Sequence, residues 1–116
     1  MKKRAFHTKV AGVTKRNGDG TRRQSLIARY CKPGMPVILK REPDNPYDKD
    51  AVGVWIKARV FFFFKAEVQI GYLNRGVAQE IARHMDRGSE VRAEISDVTG
   101  GCDGKSYGVN LFIEKL

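Results

Sequence analysis

From Ala5 to Thr14 apolar and polar positions alternate, with Phe6, Thr8, Val10 and Gly12 on one side and His7, Lys9, Ala11 and Val13 on the other. That period predicts a first strand. Between Arg22 or Arg23 and Cys31 the residues Leu26, Ile27 and Tyr30 recur at helical spacing before Pro33-Gly34, which reads as a short helix, although a strand can also be drawn through them. Met35 to Arg41 and Ala51 to Ala58 are the next two strand-like runs. They flank a two-proline loop, Arg41-Glu42-Pro43-Asp44-Asn45-Pro46-Tyr47-Asp48-Lys49-Asp50. Val60-Phe61-Phe62-Phe63-Phe64 holds no turn signal, yet the chain must reverse before Val68-Gln69-Ile70-Gly71-Tyr72-Leu73 can pair. Either both strands are extended or the phenylalanines are partly exposed. Consecutive aromatics cannot all face one core in a strand, so about two of Phe61 to Phe64 are expected to be available for a partner chain or an aggregating surface.

Asn74 is a fair N-cap, and Val77, Ala78, Ile81, Ala82 and Met85 form an apolar helical stripe that Gly88 ends. Arg83 and Arg87 suit the negative end of that helix. Val91 to Ser96 alternates, Thr99 to Gly104 turns, and Tyr107, Val109, Leu111 and Ile113 alternate again, a closing hairpin. The order is six strands and two helices, mainly β with an α+β character. A six-stranded β-barrel of the small OB-like or SH3-like kind accommodates it, with the helices over its open ends.

At 116 residues the chain is expected to be one domain, 1–116, with a single core. The longest apolar run is far too short to cross a membrane, and the basic start is not followed by the apolar stretch of a signal peptide. A cytoplasmic location away from membranes is expected. Cys31 and Cys102 lie far apart and His7 and His84 stand alone, so no zinc spacing is present, both cysteines read as free thiols, and no metal or cofactor is expected.

Charge narrows the partners. Twenty-two Lys and Arg against 13 Asp and Glu give +9, and residues 1–32 hold Asp19 as their single acid, so a polyanion is the favoured partner. Lys15, Arg16, Arg22 and Arg23 surround Asn17-Gly18-Asp19-Gly20, where glycine turns with exposed N–H groups would cradle a phosphate. The stretch lacks the Gly-Lys-Ser/Thr ending of a nucleotide-hydrolysing loop. In the two-proline loop, Tyr47 stands beside Asp48 in an otherwise basic protein. A carboxylate repels a phosphodiester, so Asp48 suits a strand terminus bearing a hydroxyl, while the Tyr47 ring can stack a base. Arg75, in the first turn of the second helix, adds its charge to a helix end that already favours phosphate. Each residue has a plainer reading: Asp48 forming an Asx turn, Tyr47 plugging a barrel end, Tyr72 serving as a core strand residue.

An ordered set of motifs now stands out: Val10-Ala11-Gly12-Val13-Thr14, Asn17-Gly18-Asp19-Gly20 with Arg23-Gln24, Leu39-Lys40-Arg41-Glu42-Pro43, Asn45-Pro46-Tyr47-Asp48 followed by Ala51-Val52, Ile70-Gly71-Tyr72-Leu73, and Thr99-Gly100-Gly101. Together they resemble the HIRAN domain family, found at the N-terminus of Swi/Snf-type DNA translocases that act at stalled replication forks and as stand-alone bacterial proteins. The resemblance implies a modified OB-like barrel that binds single-stranded DNA at a free 3′ end. It implies that Tyr47, in the motif opened by Asn45, stacks on the terminal base and that Asp48 accepts a hydrogen bond from the 3′-hydroxyl. Tyr72 would contact the end nucleotides and Arg75 hold a phosphate. The sequence departs from the translocase members in offering Lys15 and Arg16 without a following aromatic, and in the long stretch from Arg59 to Glu67.

The reading that follows is a non-catalytic module for single-stranded DNA ends in repair or replication-fork processing, with RNA a close variant. Two other classes compete. One is a protein-interaction barrel docking through Phe61 to Phe64. The other is a metal-dependent nuclease using Glu42, Asp44, Asp48 and Asp50, which lack an octahedral or EF-hand pattern and an evident base.

Overall fold

The computed structural model describes residues 4–61 and 64–116. Along the chain come β1 (Ala5–Ala11), α1 (Arg23–Tyr30), β2 (Ile38–Arg41), β3 (Val52–Phe61), β4 (Phe64–Leu73), α2 (Arg75–Asp86), β5 (Val91–Thr99) and β6 (Gly108–Lys115). The six strands form one antiparallel sheet in the order β2-β3-β4-β1-β6-β5. The mainly β architecture with two helices is the one the pattern predicts.

β1 is the strand on which the sheet turns. Ala5 to Lys9 pair with β6, whereas Val10 and Ala11 pair with Leu73 and Tyr72 of β4. A strand that changes partners part-way lets a sheet fold over on itself. Contact between β1 and β4 is close enough to require Gly71: a Cβ there would stand 2.4 Å from the Ala11 carbonyl oxygen and 2.5 Å from Val10 Cγ1.

The sheet is an incompletely closed barrel. Its edge strands β2 and β5 approach through the segment before β2, where Gly34 N–H donates to Ile95 O (2.7 Å), Ile95 N–H to Met35 O (2.8 Å) and Val37 N–H to Ala93 O (3.0 Å). The strand predicted over Met35 to Arg41 is therefore shared. Its first part clasps β5 and its second part, from Ile38, pairs with β3.

Two further boundaries move for identifiable reasons. β1 ends at Ala11 rather than Thr14, because Gly12 takes φ +73° and Lys15 N–H bonds back to Gly12 O. β5 runs on past Ser96 to Thr99, carried across a bulge by the pairs Asp97↔Asn110, Val98↔Val109 and Thr99↔Gly108. The long hairpin meets both readings of the reversal: the strands are extended, with Phe61 opposite Phe64, and a phenylalanine of the run is exposed. Phe64 is 68% exposed, while Phe62 and Phe63 lie outside the described residues.

Inside lie Val52, Val54, Ile56, Ile70, Ile81, Ile95, Val109, Leu111 and Ile113, all essentially fully buried, with Ile27 from α1 joining them. Each such side chain contributes about 1.5–3 kcal/mol. α2 covers this core with Ala78, Ile81 and Ala82. Its start is fixed by Asn74, whose Oδ1 accepts from Val77 N–H at 3.1 Å and whose Nδ2 donates to Thr8 Oγ1 at 2.9 Å. α1 lacks a side-chain cap, but Gln24 anchors it: Nε2 donates to Val13 O and Tyr107 O, and Oε1 accepts from Tyr107 N–H. Both cysteines are free thiols, and burial pushes that of Cys31 up to about 11, which makes it an inert core residue. No helix among the described residues is long and apolar enough to cross a membrane.

Candidate nucleic-acid interface

The loop between β2 and β3 is built by its own polar side chains. Asn45 Oδ1 accepts from the amides of Tyr47 (2.9 Å) and Asp48 (3.1 Å), and Asp48 Oδ1 accepts from the amide of Asp50 (2.9 Å). Main-chain bonds from Glu42 N–H to Ala51 O and from Ala51 N–H to Asp48 O close its base. Arg41 then ties the loop to α2. Its Nε and Nη2 grip both carboxylate oxygens of Asp86 at 2.9 and 3.1 Å, while Nη1 donates to the carbonyls of Lys49 and Ala51. The paired guanidinium holds the Asp86 carboxyl below its usual range, and the Asp86 carboxylate raises Arg41.

With the backbone so committed, Tyr47 projects outward. It is 87% exposed, more than any other large hydrophobic side chain among the described residues. Arg75 rises beside it from the start of α2, with Nη2 3.5 Å from the Tyr47 carbonyl and Nε 3.8 Å from Asp48 Oδ2. That second separation exceeds a hydrogen bond. Asp48 therefore forms the Asx turn with one oxygen and presents the other beside a cation.

Tyr72 forms the opposite wall. Its hydroxyl donates to Glu42 Oε1 at 2.9 Å, the same oxygen that accepts from Asn45 Nδ2 at 3.1 Å. The Arg23 guanidinium lies 5.4 Å from the Tyr72 ring centroid. Arg23 is itself buried, bonded through Nε to Asn17 Oδ1 (2.8 Å) and through Nη1 to Gly12 O (2.9 Å). An open groove of about 840 Å³ lies between these walls, lined also by Lys15, Gly12, Pro46 and Asn74.

Of the nine residues singled out in the sequence, the fold brings Lys15, Arg23, Asn45, Tyr47, Asp48, Tyr72 and Arg75 to this groove. Arg16 and Arg22 do not line it. They face each other across a small turn, both exposed, with Arg16 Nη1 on Gly20 O. Four amides of the expected cradle are already engaged within the turn: Asn17 N–H goes to Thr21 O, Gly20 N–H to Asn17 O, Thr21 N–H to Asp19 Oδ1 and Arg23 N–H to Lys15 O. The Thr21 amide also lowers the Asp19 carboxyl.

Glu42 is the residue that sequence reasoning missed, having been weighed only as a metal ligand. Its signal was its place at the end of β2, where a carboxylate beneath a tyrosine and an asparagine can organise both. No three acidic, histidine or cysteine side chains converge as a metal site among the described residues.

The HIRAN domain family model matches residues 7–113. The chain belongs to the HIRAN domain family. HIRAN domains are known generally as DNA-binding modules. This HIRAN domain is similar to the crystal structure of the HIRAN domain of human HLTF, with a TM-score of 0.65 and 20% identity, over 96% of this chain and 74% of that one. It is similar also to a protein from Lactobacillus plantarum, with a TM-score of 0.61 and 22% identity, over 95% of this chain and 98% of that one. Identities this low speak to the fold alone. No curated protein matches the HIRAN chain.

Proposed function

We propose that the groove is a non-catalytic reader of single-stranded DNA ends bearing a free 3′-hydroxyl, serving DNA repair or replication-fork processing. The observation that carries this reading is the pairing of a fully presented ring, Tyr47, with Asp48 Oδ2, an acceptor held beside Arg75 without a direct hydrogen bond. A terminal base stacks on Tyr47, for about 1–3 kcal/mol with little regard to base identity. The 3′-hydroxyl donates to Asp48 Oδ2, while Arg75 and Lys15 take phosphates of the preceding nucleotides. Tyr72 supports the end nucleotides from the other wall, with Arg23 behind its ring and Glu42 fixing its hydroxyl. Asn45 acts through the loop, setting the directions of Tyr47 and Asp48. Arg16 and Arg22 contribute to the surrounding field rather than to the groove. An RNA end offers the same hydroxyl chemistry.

The test is a titration of one oligonucleotide in two forms, ending in a 3′-hydroxyl or a 3′-phosphate. The hydroxyl form should bind about tenfold more tightly, which is about 1.4 kcal/mol. Tyr47→Ala should weaken both forms, and Asp48→Asn, which keeps an oxygen for the Asp50 amide, should remove the difference between them. Equal binding of the two forms by the unaltered protein ends the end-reading claim. The exposed Phe64 supports a second reading, docking of a protein partner on the hairpin tip, which predicts a partner lost on Phe64→Ser with DNA binding intact.

A further inference from the structure

The wall that carries Tyr72 continues beyond the groove. Tyr72 pairs with Gly53, and the same face runs on through Trp55 opposite Gln69, Lys57 opposite Glu67, and Arg59 opposite Lys65. Ile70 is the extra residue of a bulge between the Val54 and Trp55 pairs, so Tyr72 and Gln69 emerge on one side. Gly53 confirms the sidedness: a Cβ there would stand 2.9 Å from Trp55 Nε1, 3.0 Å from Glu42 Oε2 and 3.1 Å from Gln69 Nε2. Ile56 and Ala58 point the other way, into the core.

The charge on this face is unbalanced. Lys40 reaches over it from β2, with Nζ 4.1 Å from the Trp55 ring centroid and paired to Glu67. Lys40 and then Lys57 hold the Glu67 carboxyl below its usual range, so one acid answers two cations. Arg59 and Lys65 sit directly opposite each other further out, both exposed, and neither has an ion pair among the described residues. Like charges at a cross-strand pair are destabilising. A chain therefore gains when a polyanion lies across them.

We infer that the outer face of the β3–β4 hairpin is a second contact surface for nucleic acid, which carries the backbone of a strand held in the groove past Trp55 to Arg59 and Lys65. This rests on the nucleic-acid reading of the groove. Six residue-to-residue steps lead from Gly53 to Arg59, about 20 Å at ~3.3 Å each. That distance matches about six stacked nucleotides at ~3.4 Å. Lys57 and Arg59, two residues apart on β3, recur at about 7 Å, and the half-buried Trp55 indole that precedes them, with Lys40 over its ring, offers the exposed part of its surface to a base, the combination that sequence-tolerant single-strand tracks use. A polyanion of regular repeat fits this better than an acidic protein patch.

The experiment compares a trinucleotide with a strand of about twelve nucleotides, both 3′-hydroxyl, on the unaltered protein, on Arg59→Gln/Lys65→Gln, and on Tyr47→Ala/Asp48→Asn. Removing the hairpin charges should leave trinucleotide affinity unchanged. It should weaken the long strand on the order of tenfold at 0.1 M salt and lower its salt slope by roughly 1.4, the value for two lost phosphate contacts on a single strand. Trp55, the single tryptophan of the chain, should change emission on binding the long strand. Both substituted residues are exposed and oppose like charges, so melting should be unchanged or slightly raised, which separates lost binding from lost folding. If the long strand binds the hairpin variant as before but the groove variant not at all, the second surface is wrong and the groove reading stands. If no form binds DNA, both fall. If the hairpin variant loses an acidic protein while keeping the long strand, the face belongs to that protein and the inference is overturned.

Discussion

Glu42 shows how much of this site is set by a side chain that need never touch a ligand. One of its oxygens holds Tyr72 and Asn45 together, and Asn45 in turn orients the amides of Tyr47 and Asp48. The two walls of the groove thus share one carboxylate. Glu42→Ala should weaken binding of a 3′-hydroxyl strand about tenfold, about 1.4 kcal/mol, whereas Glu42→Gln, whose amide oxygen can still accept from both partners, should restore most of it. Titrating the two variants in parallel with a melting control checks this. Equal losses in both would mean that charge, not hydrogen-bond geometry, is what Glu42 supplies. Residue identity in the sequence pointed to the groove because ring, acid and cation each have chemistry legible in isolation. Glu42 was opaque because its role exists only through the partners that the fold brings to it. Arg23 was opaque for the opposite reason: a surface-type residue in a basic stretch is buried, held by Asn17 and the Gly12 carbonyl.

At the level of elements, the motifs that looked like ligand contacts divide into those that present chemistry and those that permit close approach. Gly71 belongs to the second kind. Gly71→Ala would drive a methyl into the backbone of Ala11, where β1 changes partners, and should cost about 1–3 kcal/mol or more. Chemical denaturation measures that, and a variant as stable as the original would mean that β1 and β4 can separate without penalty. Elements with long periodic patterns, such as α2 and β6, were readable because burial alone selects them. The end of β1 and the far part of β5 were misplaced because a positive-φ glycine and a bulge decide them, and neither leaves a trace in apolar periodicity. The extent of the β3–β4 hairpin was left open for want of a turn signal between Val60 and Phe64.

For the whole molecule, the weak place is where β2 and β5 meet. β3–β4, β5–β6 and β1–β6 are held by long ladders and β1–β4 by the two pairs at Val10 and Ala11, whereas the closing seam is held by the short segment Gly34 to Val37, which lies outside the named strands, with its bonds to Ala93 and Ile95. Hydrogen exchange of the Gly34, Val37 and Ile95 amides should run at least about tenfold faster than that of the β6 amides, equivalent to about 1.4 kcal/mol less local stability. Exchange of all of these together would show instead that the barrel opens as one unit. The net charge of +9 acts at this scale too: on the proposed reading it would draw an anionic strand toward the protein before any groove contact formed.

The pairing of Ala5 with Glu114 has a practical corollary. It sets the outer ends of β1 and β6 side by side, while Ala11, at the other end of β1, borders the groove about 20 Å away at ~3.3 Å per residue. A dye, a surface tether or a neighbouring polypeptide joined at either point would leave from one corner of the molecule and keep clear of the mouth where a strand would enter. The fold is thereby suited to being carried as a cargo or spliced into something larger.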